Sequence, residues 1–460
     1  PRTKNRNLNL HIMERDTIDF GTVKISKLFR RLFIPTLLGM LSISAVTAID
    51  GIFVGHGVGG DGIAAVNICI PLLMIFTGLG LMIGTGCSVV VSIHMGRGRL
   101  RAARMNITQA LVFVTVVTVI ATIFIMAFAR PIAVALGSSE TLLPSVLDYM
   151  LWFMPSIVFN MWIAVALFII RIDGAPNAAM WCSMTSAILN VALDYLFIFP
   201  LGWGVRGAAF ATALSCAAGG IMAMGYLLFF ARSMRPERVK WSRKSLRLSL
   251  RNIGYQCRIG SSAMLGEFTM AMLMFMGNRT FMRYLGDDGV GAFGIACYYA
   301  PFAFMVGNAI AQSAQPIISY NFGIGDSARV RRTGRVALLT ALLCGTVSAA
   351  AFILFPRLLV GLFLQPDAAA ARIAVEGLPL FATGFVFFIS NLTIIGYNQS
   401  LERVVPATAF ALLRGFVFLS PAFLLLPEAI GTAGIWLAMP ASELLTSAVI
   451  VGRSLLRRAA

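Results

Sequence analysis

The stretch Ile188-Leu-Asn-Val-Ala-Leu-Asp-Tyr-Leu-Phe-Ile198 sets an amide, Asn190, and a carboxylate, Asp194, four residues apart in a run otherwise fit for the interior of a lipid bilayer. On an α-helix that spacing puts both side chains on one face, one turn apart. An unpaired Asp near the bilayer centre costs roughly 2.5–3.5 kcal/mol on insertion scales, so Asp194 is expected to have a partner or a use. The first expectation is that this face binds a cation.

The surrounding chain fits a membrane setting. Of its 460 residues 58% are hydrophobic and 12% charged, and mean hydropathy is +0.84. A soluble domain carries about 25% charged residues. Windows of about 20 apolar residues, the length that crosses the hydrocarbon, give twelve helices, near 28–54, 61–93, 105–128, 143–169, 176–200, 206–230, 259–283, 289–320, 335–356, 371–397, 405–426 and 432–452. The fold class is therefore all-α and integral to the membrane. Cys69, Cys87, Cys182, Cys216, Cys257, Cys297 and Cys344 stand singly and read as free thiols, with neither a disulfide framework nor a zinc site. No cleavable signal peptide is expected, because residues 1–31 are polar and basic.

The net charge of +18 is unevenly placed. Thirty of the 37 Lys and Arg fall on one side of the expected topology: in the tail to residue 31, in 94–104, at Arg171, in 232–258, in 321–335, at Arg403 and at the C-terminal end. The positive-inside rule then puts both termini in the cytoplasm. It also makes the charge a property of loops at a membrane rather than a nucleic-acid surface.

The basic segment 232–258 divides the chain into an N-terminal lobe, residues 1–231, and a C-terminal lobe, residues 259–460. Its Trp241, Leu246, Leu250 and Ile253 raise an interfacial role on anionic lipid, but a plain connector is the simpler reading. The halves repeat. At an offset of 227, Gly80 meets Gly307, Gly96 meets Gly323 and Gly204 meets Gly431; at 230, Pro176 meets Pro406. Six spans per half is even, so the halves are related by a pseudo-twofold axis along the membrane normal, an arrangement that transporters use around a central cavity.

Polar groups inside the spans mark candidate sites. Counting helical rise from the span ends puts Asp50, Asn190, Asp194 and Thr212 in one layer of the first half. Four oxygen-bearing side chains suit Na+ or a shared proton, since hard cations take oxygen ligands. Asp50 and Asp194, close together in a low dielectric, should not both stay charged without a cation between them. The competing reading is that Asp50 caps a helix end and that Asn190 and Asp194 bind neighbouring helices by hydrogen bonds. In the second half the mate of Asp194 is Leu424, so the carboxylate pair is not duplicated.

That half has its own charges. Arg414 and Glu443 lie at equal depth on adjacent helices and are expected to form a structural ion pair. Glu267 is then its free deep carboxylate, a candidate for a cationic substrate. Met270 and Met274 on the same helix offer flexible thioethers of the kind found on promiscuous surfaces, although the methionines there fall on more than one face. Pro35 removes a backbone hydrogen bond from the first helix and could act as a hinge. Gly80, Gly84 and Ser88 read as a close-packing seam. Enzyme chemistry lacks support: His11, His56 and His94 are expected in the tail or loops, and no phosphate loop or metal cluster stands out.

Taken in order, these motifs resemble the multidrug and toxic compound extrusion (MATE) family over nearly all of residues 28–452. They include Ile49-Asp-Gly-Ile-Phe-Val-Gly-His-Gly57, Arg171-Ile-Asp-Gly174, Leu189-Asn-Val-Ala-Leu-Asp-Tyr195, Gly204-Val-Arg-Gly-Ala-Ala-Phe-Ala-Thr212 and Gln312-Ser-Ala-Gln-Pro316. Gly55-His-Gly57 and Ala411-Leu-Leu-Arg414 look closest to a bacterial branch. The resemblance implies secondary active efflux of cationic or amphipathic compounds by Na+ or H+ antiport, from a multi-pass monomer in the bacterial inner membrane. It implies no organic cofactor and no partners beyond small-molecule substrates and membrane lipid. It also implies ion binding at the residues matching Asp50, Asn190, Asp194 and Thr212, bending at Pro35, and an acidic substrate position at Glu267. A flippase for lipid-linked saccharides is the alternative. Such a carrier would be expected to put Lys or Arg in its cavity, and no Lys falls in any expected span.

Overall fold

The computed structural model describes residues 19–58, 60–237, 242–365 and 367–459. The tail through residue 18 and the connector residues 238–241, Trp241 among them, lie outside these. Every regular element among the described residues is helical.

The first half runs α1 (Ile25–Gly57), α2 (Gly60–Gly96), α3 (Leu100–Ala127), a short α4 (Ala129–Ala135), α5 (Leu143–Phe153), α6 (Ile157–Ile172), α7 (Pro176–Ile198) and α8 (Gly204–Gly225). A 3-10 turn at Met154–Ser156 joins α5 to α6, so the two form one span. The second half begins with α9 (Arg243–Ile324), an element of 82 residues. A straight helix of that length would run about 120 Å, far more than the hydrocarbon thickness. It turns at Gly286, where φ is 63° and ψ −154°, a conformation that only glycine adopts without strain. That break makes two spans. There follow α10 (Ser327–Leu354), a short α11 (Pro356–Gly361), α12 (Ala369–Ala382), α13 (Phe385–Ser400), α14 (Val404–Leu412), α15 (Leu419–Ile430) and α16 (Thr432–Ala459). α12 and α13 meet at 43° and form one bent span. α14 and α15 are joined through a π-turn at Leu413–Val417. Twelve crossings result, six in each half.

Several local expectations need correcting. The connector 232–258 is helical from Arg243 onward, because its apolar and amide positions pack on α3: Gln109 Nε2 donates to Ser249 Oγ and Gln256 Nε2 to Asn106 Oδ1. Arg171, expected in a loop, is in the last turn of α6 and buried. His56 and His94 end α1 and α2 rather than standing in loops.

Two apolar cores form. One gathers α2, α3, α5, α6 and α7; the other gathers α9, α10, α12, α13 and α16. The second core also takes Phe20, Leu28, Phe29 and Leu32 from the opposite end of the chain. Arg329 fastens that entry by donating to the carbonyls of Phe20 and Val23 at 3.1 and 2.8 Å. The outer part of α1 instead lies along α7. α1 is thus shared between the halves, and Pro35 is buried near the crossover. The helix continues through Pro35 unbroken. Outward faces remain apolar, as in the i, i+4 stripe Leu339, Leu343 and Val347 on α10, which fits contact with lipid.

The halves meet on the side of the basic loops. Ser88 Oγ donates to Gln315 Oε1, and Gly96 lies against Gly323. Both are repeat mates at offset 227, so the pseudo-twofold axis passes between them. A Cβ on Gly86 would overlap the Gln256 carbonyl oxygen, one on Gly260 that of Met82, and one on Gly323 that of Ile93. Backbones touch here because the side chains are absent. Gly80 and Gly84 make the expected seam within the first half, against Met161, Ala164 and Phe168 of α6.

Gly86→Val should therefore keep the halves from closing on this side. In a background without the native cysteines, Ser88→Cys should then label several-fold faster with an impermeant maleimide supplied from the basic-loop side; unchanged labelling would show that this seam is not what closes the protein.

Candidate functional site

α7 carries Asn190 and Asp194 on its buried face, while Ile188 and Tyr195 of the same helix are exposed. Asp194 has no exposed surface. α1 brings Asp50 against it, and the two carboxyl groups stand within hydrogen-bonding range of each other. Neither oxygen of Asp194, nor Asp50 Oδ1, meets a protein donor. Two carboxyl groups so placed need a cation between them, a proton or a metal ion. One turn back along α7, Asn190 Nδ2 donates to Thr212 Oγ1 of α8 at 3.3 Å, and that hydroxyl donates to the Ala208 carbonyl at 3.0 Å. The amide oxygen of Asn190 and the Thr212 hydroxyl supply further hard oxygens. The four residues singled out from the sequence are thus two contacting pairs on adjoining turns.

Sequence reasoning missed Tyr149. It is buried on α5, stacks on Phe153 at 5.5 Å, and lies close enough to interact electrostatically with both Asp50 and Asp194. The depth count that selected Thr212 would have found it, since it lies about 9 Å along its helix from Leu143 by helical rise.

The second half holds a different arrangement. Arg414, in the π-turn, donates through Nε and Nη2 to Glu443 Oε1 at 2.8 and 2.7 Å. Asn391 Nδ2 donates to Glu443 Oε2 at 2.8 Å, Ser442 Oγ to the Arg414 carbonyl at 2.7 Å, and the guanidinium lies 4.4 Å from the Phe388 ring centroid. The pair is almost wholly shielded from solvent, and its bonds are internal. It holds α13, the π-turn and α16 together.

Glu267 of α9 is buried, faces α2 near Gly78, and leaves Oε1 without a partner. Met270 lies inside the apolar core of the second half, and Met274 packs against that core. Both act in packing here, because the face of α9 that they occupy turns toward neighbouring helices. Between the halves is a narrow cleft of about 40 Å³, lined among others by Thr85 of α2, Ser262 and Gly266 of α9 before its break, Asn308, Gln312 and Gln315 after it, and Gln399 of α13. Among the described residues no group of three or more His, Cys, Asp or Glu is set to hold a metal.

Two six-helix bundles about an axis along the membrane normal, with a cleft of mixed apolar and amide lining between them and a carboxyl pair in one, define a multi-pass membrane transporter. The MatE family profile matches residues 35–196 and 263–422, and the chain belongs to that family of transporters. The multidrug export protein MepA of Staphylococcus aureus is 23% identical over 446 residues, 95% of each chain. A FAD transporter of Shewanella oneidensis is 23% identical over 344 residues, 74% of each. Among solved structures, the outward-facing form of a multidrug resistance MATE transporter superposes with a TM-score of 0.88 at 20% identity, covering 96% of this chain and 98% of the other.

Removing one partner of the buried pair should leave the other charge stranded. Arg414→Met is expected to destabilise the protein by about 3–5 kcal/mol, with Arg414→Met/Glu443→Leu recovering most of it. Thermal unfolding in detergent reads both; equal loss in single and double variants would contradict a purely structural pair.

Proposed function

We propose that the protein is a secondary active exporter of cationic or amphipathic compounds, driven by inward exchange of Na+ or H+. The observation that carries this is the approach of Asp50 to the fully buried Asp194, with neither Asp194 oxygen nor Asp50 Oδ1 meeting a protein donor. Relatives described as multidrug export proteins support the direction and the breadth of substrate. The MatE relatives, the apolar outer faces and the basic loops support a bacterial inner membrane, lipid as the surrounding solvent, cytoplasmic termini and a monomeric unit.

The exchange follows from which bodies the carboxyls join. A cation entering from the outer side is held between Asp50 and Asp194, with Asn190 and Thr212 one turn away to complete an oxygen shell for Na+. Asp50 rides on α1, whose first turns belong to the other half's core. Filling or emptying the site therefore alters how α1 lies between the two halves, and Pro35, lacking one ladder hydrogen bond, is where it yields. Substrate release into the outer medium and cation release into the cytoplasm alternate as the halves rock. Glu267 is the acid that meets a cationic substrate. A flippase for lipid-linked saccharides would call for a row of cationic side chains on the cleft. Amides and hydroxyls line it instead, with the single guanidinium of Arg171 behind Gln312.

Asp194→Asn should fold and insert normally, yet drop gradient-driven export of ethidium from proteoliposomes to background. Imposing pH and Na+ gradients separately identifies the driving ion. Export by Asp194→Asn at the original rate would refute the coupling scheme.

A further inference from the structure

We infer that Gln312, oriented by Arg171, is the hydrogen-bond donor of the cleft for an anionic oxygen on the substrate, so that the cleft takes dipolar amphipaths, cationic at one end and bearing a carboxylate at the other. The inference rests on the export reading above and narrows its substrate class.

It begins with a buried charge that the rest of the protein leaves uncompensated. Arg171 is only 6% exposed. Its Nη1 donates to Gln312 Oε1 at 2.7 Å and its guanidinium lies 5.5 Å from the Phe168 ring centroid, while Nε has no hydrogen-bond partner. No carboxylate pairs with it among the described residues. Arg414, equally buried in the other half, has Glu443. A buried guanidinium without an anion is costly to keep. A mere tie between the halves would need only a neutral donor at this position.

The chemistry of the contact then determines what Gln312 offers. A guanidinium has donors and no acceptor, so the Gln312 atom that meets it is the oxygen. The NH2 group is left for the cleft that Gln312 lines. A charge-assisted bond at the oxygen polarises the amide and makes those N–H groups better donors. Two neighbouring amides, Asn308 and Gln399, are biased the other way. Asn308 Nδ2 is taken by the Phe304 carbonyl and Gln399 Nε2 by the Ile259 carbonyl, which leaves their oxygens free to accept. Gln315 is engaged at both ends, its oxygen by Ser88 Oγ and its Nε2 by Ser319 Oγ at 3.4 Å. Glu267 lies one helical turn beyond the cleft residue Ala263 and has an unpartnered Oε1. The cleft therefore has a positively biased pole at Gln312 with Arg171 behind it, while the Glu267 carboxyl lies outside its lining, toward Gly78 of α2.

Two rhodamine dyes identical except that one bears a free carboxylate and the other its methyl ester separate this from plain cation export. Both are loaded into proteoliposomes containing the full chain, and initial rates are followed under the driving gradient. The wild type should export both, with the lower KM for the carboxylate dye. Arg171→Gln and Gln312→Leu should each raise the ratio of the KM for the carboxylate dye to the KM for the ester roughly tenfold, the scale of one hydrogen bond to a charged group. If both dyes decline together in both variants, Arg171 and Gln312 merely tie the halves and the inference falls. A wild type that exports the ester and ignores the carboxylate dye also overturns it while leaving the export reading intact. If neither dye moves under either gradient, the export reading itself fails and takes this one with it. Gln312→Leu keeps the test decisive should Arg171→Gln not fold.

Discussion

Two carboxyl groups from different helices meet where neither water nor a protein donor reaches Asp194. Such a contact is repulsive unless a cation sits in it, and it lies where α1 and α7 pack along each other. α1 begins in one core and ends against the other, so the same helix joins that contact to both halves. The proposed exchange uses that shared helix rather than any remote relay.

The second half solves the same burial problem differently. Where the first half leaves two carboxyls short of partners, the second pairs Arg414 with Glu443 and surrounds the pair with Asn391, Ser442 and Phe388, while Glu267 alone keeps an unpartnered oxygen. A closed ion pair stabilises one arrangement; in the proposed exchange a carboxyl pair without donors lets a cation choose between two. Repeat symmetry survives in the backbone seam around Ser88, Gln315, Gly96 and Gly323, where the halves touch across their axis, and is lost in the ionisable residues. In the proposed exchange, duplicated backbones with unlike charges leave the first half responsive and the second a support.

Much of the site was legible beforehand because helical geometry is local. The i, i+4 spacing of Asn190 and Asp194 needs only one helix, and rise per residue puts Thr212 and Asp50 at the same depth. Equal depth likewise paired Arg414 with Glu443. Tyr149 escaped because an isolated phenol in an apolar run has no periodic signature. Met270 and Met274 were harder still. Their residue type suits either a pocket or a core, and the neighbours that decide between these lie far away in the chain.

By itself the sequence determined twelve apolar crossings, a two-fold repeat and the residues expensive enough in lipid to require a reason. These follow from composition, from period and from the free energy of burying a charge, all readable along one strand of chain. Only the tertiary structure decided that Asp50 touches Asp194, that α1 belongs to both halves, and that Arg171 leaves its supposed loop to lie buried behind Gln312. Each of these depends on which helices become neighbours, and that is set by packing between segments far apart in the chain, as in the bond from Asn321 to the Phe20 carbonyl with a separation of 301.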